Sequence, residues 1–190
     1  DLADKKTIAK EKVRQAMQGN GWVIEEAENE EGHYQVAVGR DGMYEICAGT
    51  PITNLTPALS LDDDEAPKKV VERLVHLGKY RNAPALANPI SRLKSSIEYE
   101  LLNPDTKDPF DNQNNIVLKS VDFAYLKVKN VSSQPLNVSV LDFEPTWAIS
   151  QIPIQGDRGA FYSLQPGEET QSRLRFSIPS VQYNKQSEET

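Results

Sequence analysis

The sequence predicts an α+β protein in two parts: a small helix-plus-antiparallel-sheet unit over residues 1–88, then an all-β immunoglobulin-like sandwich over residues 89–190 with a flexible C-terminal tail. Three observations carry this prediction. Apolar residues recur with helical spacing at the start of the chain and again around residue 70, and between these stretches the period falls to two. After Ser95, short strand-like runs alternate with Pro, Gly, Asn and Asp. The 190 residues suit one large domain or two small ones.

Ala9, Val13, Ala16 and Met17 fall on one helical face, and Gly19-Asn20-Gly21 stops that helix. Trp22-Val23-Ile24 reads as a first strand, Tyr34 to Val38 as a second and Tyr44 to Ala48 as a third. A two-residue Asp41-Gly42 loop would set Val36 and Val38 against Cys47 and Glu45, mixing the faces. A three-residue Arg40-Asp41-Gly42 loop with Gly42 left-handed instead pairs Tyr34, Val36 and Val38 with Ala48, Ile46 and Tyr44, so one apolar face forms. A second helix starts at Asp63 or Asp64 as cap, with Pro67 in its first turn and Val70, Val71, Leu74, Val75 and Leu77 as its buried stripe, ending near Gly78 to Arg81. Seven strands are expected beyond: Ile97–Leu102, Ile116–Leu118, Phe123–Lys129, Leu136–Phe143, Trp147–Ile152, Ala160–Leu164 and Leu174–Ile178. That number suits a sandwich. The linker from Asn82 to Lys94, with Pro84 and Pro89, is expected to be short and stiff.

Charge narrows the function. Residues 1–64 hold 13 acids against 6 bases, and the remainder balances. Phosphate binding requires clustered Lys and Arg, so no nucleic-acid partner is expected. No run has the length of a membrane span, so no membrane partner is expected either. The polar start Asp1 to Lys6 does not read as a signal peptide, and without an initiator Met the chain reads as a piece of a longer polypeptide. The single Cys47 excludes an internal disulfide and suits a reducing cytoplasm. Sequons at Asn54, Asn130 and Asn137 are about as many as composition alone would give, and none is read as glycosylated.

The candidate catalytic residues are Cys47 and His33. In the preferred register Cys47 lies opposite Gln35, which makes His33 its diagonal neighbour, within reach of a thiolate–imidazole pair. The simpler reading is a small buried hydrophobe and a strand-end polar residue, because free cysteines are usually buried and inert. Asp62-Asp63-Asp64-Glu65 is contiguous, unlike a calcium loop that alternates its ligands around a Gly, and reads as helix capping. His76, with Glu72 and Tyr80 one turn away on either side, reads as an exposed helix face rather than a metal site. Gln155 to Gly159 lacks the Gly-Lys-Ser/Thr ending of a phosphate loop and reads as a hairpin turn. Ser132, Ser133 and Ser163 have no His and Asp partners in any recognisable motif. Trp147, Phe161 and Tyr162 are the aromatics that a small-ligand or carbohydrate-binding sandwich would use, and equally good core residues. No catalytic, cofactor or metal residue is therefore assigned, and no cofactor is expected.

Three stretches together resemble one family. Ala66 to Ala87, APKKVVERLVHLGKYRNAPALA, resembles the helix and segment that follow the catalytic domain of bacterial, especially cyanobacterial, caspase-like cysteine peptidases. Ala124 to Trp147, AYLKVKNVSSQPLNVSVLDFEPTW, resembles their sandwich, and Ile149 to Ile152 with Phe161 to Gly167 extends the likeness to about residues 34–178. The resemblance implies a Cys–His dyad in an upstream domain, with the His in a His-Gly pair and the Cys at a strand end. Here His33 precedes Tyr34 and Cys47 sits in Glu45-Ile46-Cys47-Ala48-Gly49, so neither residue takes the dyad's role. What the resemblance implies for this chain is a non-catalytic C-terminal region, not an enzyme on its own. Its expected partners are the upstream caspase-like catalytic domain and a further protein.

Overall fold

A computed structural model describes residues 2–27, 32–113, 116–119, 122–153, 159 and 161–177. Among the described residues the fold is mixed α+β, with two helices and several antiparallel sheets and no closed barrel. It divides into two compact units, Asp1–Leu86 and Ala87–Thr190.

In the first unit, helix α1 (Leu2–Met17) buries Ala9 and Val13. Strands β1 (Gln35–Val38) and β2 (Met43–Ala48) pair as Gln35 with Cys47, Val36 with Ile46 and Val38 with Tyr44, which is the register argued from the faces. Gly42 takes φ +75° in the three-residue loop, and the Gly39 N–H closes it on the Met43 carbonyl at 2.9 Å. Two short strands, β3 (Thr50–Pro51) and β4 (Leu59–Ser60), both pair with the far edge of β2. Helix α2 (Ala66–Asn82) runs on into a 3₁₀ turn at Ala83–Ala85. It buries Val70, Val71, Leu74 and Leu77, each contributing about 1.5–3 kcal/mol by leaving water. The Tyr34 hydroxyl donates to the Leu77 carbonyl of α2 and the Tyr44 hydroxyl to the Ala9 carbonyl of α1. Tyr34 and Tyr44 share a face, so both helices cover that side of the sheet.

Two expectations here need correction. Trp22–Ile24 is not a strand: the Trp22 and Val23 N–H groups donate to the Asn20 side-chain oxygen at 2.7 and 2.9 Å, an Asx turn that takes the amides a ladder would use. The exposed Trp22 ring lies under Lys79, 4.5 Å from its centroid. Neither Asp63 nor Asp64 is the helix cap. Glu65 holds that position without a side-chain bond, and Asp63 instead accepts from the Glu65 N–H one turn earlier.

In the second unit, β5 (Ile97–Leu102), β6 (Phe123–Asn130) and β11 (Glu169–Arg175) form a sheet in the order β11-β6-β5. Two pairs complete the described strands: β7 (Leu136–Val138) with β10 (Tyr162–Leu164), and β8 (Val140–Phe143) with β9 (Ile149–Ile152). Leu126, Val128 and Leu164 centre the core, with Ile97, Leu101, Val138, Val140, Tyr162 and Leu174 packed around them.

Four expectations change in this unit. Leu136–Phe143 breaks at Ser139, because its halves bond different partners although the in–out alternation runs straight through. Trp147 is not in a strand, since at φ +69° it lies in the turn closed by Glu144 N–H on the Ala148 carbonyl. Ile116–Leu118 is not a strand either. Both edges of β6 are already filled by β5 and β11, and the Lys119 N–H just beyond is drawn to the Asp122 carboxylate at 2.7 Å. Strand β11 starts five residues earlier than Leu174, with Thr170 and Ser172 buried on its core face. The parts of the expected strands at Ala160 and Ile178, the turn residues Gln155 to Arg158 and the C-terminal tail lie outside the described residues.

Candidate functional site

The β1–β2 register puts Cys47 opposite Gln35 and Pro51 on either side, with His33 two residues before Gln35. Cys47 is buried and His33 exposed, and among the described residues no hydrogen bond joins them. Burial pushes the Cys47 thiol up, and the Glu45 carboxylate pushes it the same way. A thiol so placed has little thiolate at neutral pH and is a poor nucleophile.

The acidic run is held by lysines. Asp63 pairs with Lys69 of α2 at 3.0 Å, while Asp64 and Asp62 reach Lys12 and Lys5 of α1 at 3.1 and 3.7 Å. These pairs fasten the start of α2 to α1 across a solvated surface, where each contributes little. His76 is exposed, as are Ser133 and Ser163.

Ser132 has a different role. Asn130, fully buried, donates from Nδ2 to the carbonyls of Leu164 and Gln134 at 2.9 and 2.8 Å, and its Oδ1 accepts from the Ser132 N–H and hydroxyl at 2.9 and 2.7 Å. One side chain thereby ties the end of β6 to β10 and to the 131–135 turn. An amide with all these groups engaged is closed to modification. In the sequence Asn130 heads both a sequon and the turn expected from Asn130 to Pro135, and neither pattern shows that its amide is buried.

Two surfaces were not legible. The first is the outer edge of β5. The side-chain amide of Gln113 pairs with both the N–H and carbonyl of Leu101, at 2.8 and 3.0 Å, on the side away from β6. By antiparallel alternation the main-chain groups of Ile97 and Tyr99 also face outward, and among the described residues no hydrogen bond is made to them. Tyr99 shares a face with the buried Val128, yet is 74% exposed. The opposite edge, on β11, carries Glu169, Arg173 and Arg175, charges that discourage pairing.

The second surface is a cleft of about 190 Å³ in the first unit. Strands β3 and β4 occupy the same edge of β2 at its two ends, and between them the Ile52 N–H donates to the Ile46 carbonyl at 2.8 Å. Ile46, Ile52, Leu55 and Leu59 supply apolar wall, Arg73 of α2 lines the cleft, and so do Asp41 and Glu45. The Arg73 guanidinium donates to the main-chain carbonyls of Leu55, at 3.4 Å, and Pro57. Its pKa is lowered by desolvation alone. The only sequence signal for it is a cation flanking the apolar stripe of α2.

Compared with protein-family models, curated proteins and solved structures, the chain finds no match.

Proposed function

We propose that this chain is a non-catalytic accessory region of a caspase-like peptidase, acting in protein recognition or in control of the attached protease, with its second unit an immunoglobulin-like sandwich. The family part of this reading rests on the sequence resemblance. The observation that favours recognition is the outward edge of β5, where the main chain of Ile97 and Tyr99 and an exposed tyrosine ring stand on a sheet locked from behind by Asn130. An extended segment of a partner adds to such an edge through main-chain hydrogen bonds, and the ring gives it a side-chain contact. Cys47 has no part in this reading, and its raised pKa is that of a structural thiol.

The test is to add the purified chain to the separately expressed upstream part of the parent polypeptide and follow cleavage of a peptide substrate. The native chain and a Cys47→Ala version are expected to bind and to change the rate equally, and Tyr99→Lys to weaken the effect at least tenfold. Activity that appears only with Cys47 intact, or no effect of the native chain, would overturn the reading.

A further inference from the structure

Strand β11 forms the other edge of the β11-β6-β5 sheet. The Asn130 N–H donates to the Glu168 carbonyl and the Phe176 N–H to the Asp122 carbonyl. Even-numbered residues of β11 therefore bond to β6, and odd-numbered ones turn their main-chain groups outward. Among the described residues no hydrogen bond is made to the outward groups of Glu169, Gln171, Arg173 or Arg175. The side chains of these four are exposed on one face, while Thr170 and Ser172 are buried on the other. In chain order the exposed row reads acid, amide, base, base.

A second copy laid antiparallel along this edge meets that row reversed. With a two-fold axis at Ser172, Glu169 stands opposite the partner's Arg175 and Gln171 opposite the partner's Arg173. All four outward residues then exchange their main-chain groups. Side chains so opposed are about 4.5–5.5 Å apart at Cβ, where opposite charges stabilise and like charges destabilise. Neighbouring registers do worse. Centring on Arg173 sets that cation against its own counterpart, and centring on Gln171 leaves Arg175 opposite Gly167, in the turn before the strand. Glu169 faces Lys129 across β6, Arg175 faces Phe123, and among the described residues neither charge forms an ion pair within the chain. Strand β5 fails the same comparison, because a copy paired through Ile97 and Tyr99 would set Glu98 against its own counterpart. The charges of β11 discourage an unmatched strand, but against their own sequence reversed they select one register.

We propose that β11 is a self-recognition edge, through which two copies of this chain pair antiparallel about a two-fold axis at Ser172 and join their three-stranded sheets into one. Such a contact is isologous, each copy presenting the same strand to the other. The inference goes beyond the accessory-region reading and does not depend on it.

The test is sedimentation velocity of the whole chain in about 50 mM salt, where surface charges are weakly screened. A contact of edge main chain and a few side chains belongs with the small, transient interfaces, so monomer is expected at about 1 µM and dimer at about 500 µM. Arg175→Glu and Glu169→Arg each place like charges opposite one another at both ends of the paired strands, and each is expected to weaken self-association at least tenfold. Mixed in equal amounts, the two variants match at both ends, and the dimer is expected to return as a heterodimer. The chain carrying both substitutions is expected to dimerise like the native one. Recovery on mixing excludes a folding defect in either variant as the cause of the loss. A native chain that stays monomeric at about 500 µM, a dimer that neither substitution weakens, or weakened variants that do not recover on mixing would overturn the proposal.

Discussion

Asn130→Ala tests whether one buried amide holds the second unit together. The substitution removes four hydrogen bonds. The Leu164 carbonyl belongs to a residue with no exposed surface, so water cannot replace its partner, and a stranded buried acceptor costs about 1–3 kcal/mol. Gln134 is exposed and Ser132 partly so, and their groups rehydrate at about 0.5–1 kcal/mol each. The total is about 3 kcal/mol, which at a urea slope of roughly 1.5 kcal/mol/M moves the midpoint down by about 2 M. Fluorescence of Trp147 reads this in a Trp22→Phe background, where the exposed Trp22 no longer contributes. Asn130→Asp keeps the acceptor but turns a carboxylate on two carbonyls. That carboxyl's folded pKa would be raised, so the variant is expected to fall below Asn130→Ala at pH 7 and recover as pH drops under the carboxylate range. A midpoint shift of Asn130→Ala under about 0.5 M would refute the reasoning, since the four bonds would then be replaceable.

Other perturbations follow from single groups. Thr170 Oγ1 is buried with no partner among the described residues, so the isosteric Thr170→Val is expected to stabilise the second unit by about 1 kcal/mol in urea unfolding, and a loss would mean the hydroxyl has an acceptor. Gly42→Ala has open space around its Cβ but a φ of +75°. Its expected cost is the backbone one alone, about 1–2 kcal/mol, checked by thermal melting of the first unit. Burial, with the nearby Glu144 adding to it, raises the Asp142 pKa. Stability from that group is present below the ordinary carboxylate pKa and lost as pH rises through the raised value. Asp142→Asn should therefore raise the melting temperature at pH 7 and give no gain near about pH 3; an equal gain at both values would refute the sign. Cys47 is expected to react with a thiol reagent at least tenfold more slowly than a cysteine peptide at neutral pH and to catch up on unfolding.

What the sequence made legible, and what it did not, divides by the range of the interaction. The β1–β2 hairpin came out in register because the strands are neighbours in the chain, because only one offset puts six apolar residues on one side, and because Gly42 is placed where a left-handed residue is needed. Strand β11 was read too late because Thr170 and Ser172 occupy core positions, and a burial pattern written in hydroxyls does not look apolar. Leu136–Phe143 read as one strand because alternation records which way side chains point. It says nothing of which strand the backbone bonds, and the partner changes from β10 to β9 at Ser139.

The cleft was hidden for the same reason at greater range. It exists only because β3 and β4 choose the same edge of β2, at its two ends, and its cation comes from a helix a further turn of chain away. No local pattern encodes that convergence. The sequence did contain the anomaly, though: Arg73 lies within the α2 segment whose other positions between Val70 and Leu77 were assigned to core or surface without strain. A charge at the border of an apolar stripe is normally accommodated by snorkelling to water. Here the guanidinium turns to two main-chain carbonyls instead. That choice keeps the cation beside the cleft, on carbonyls of the 52–58 segment rather than out in solvent.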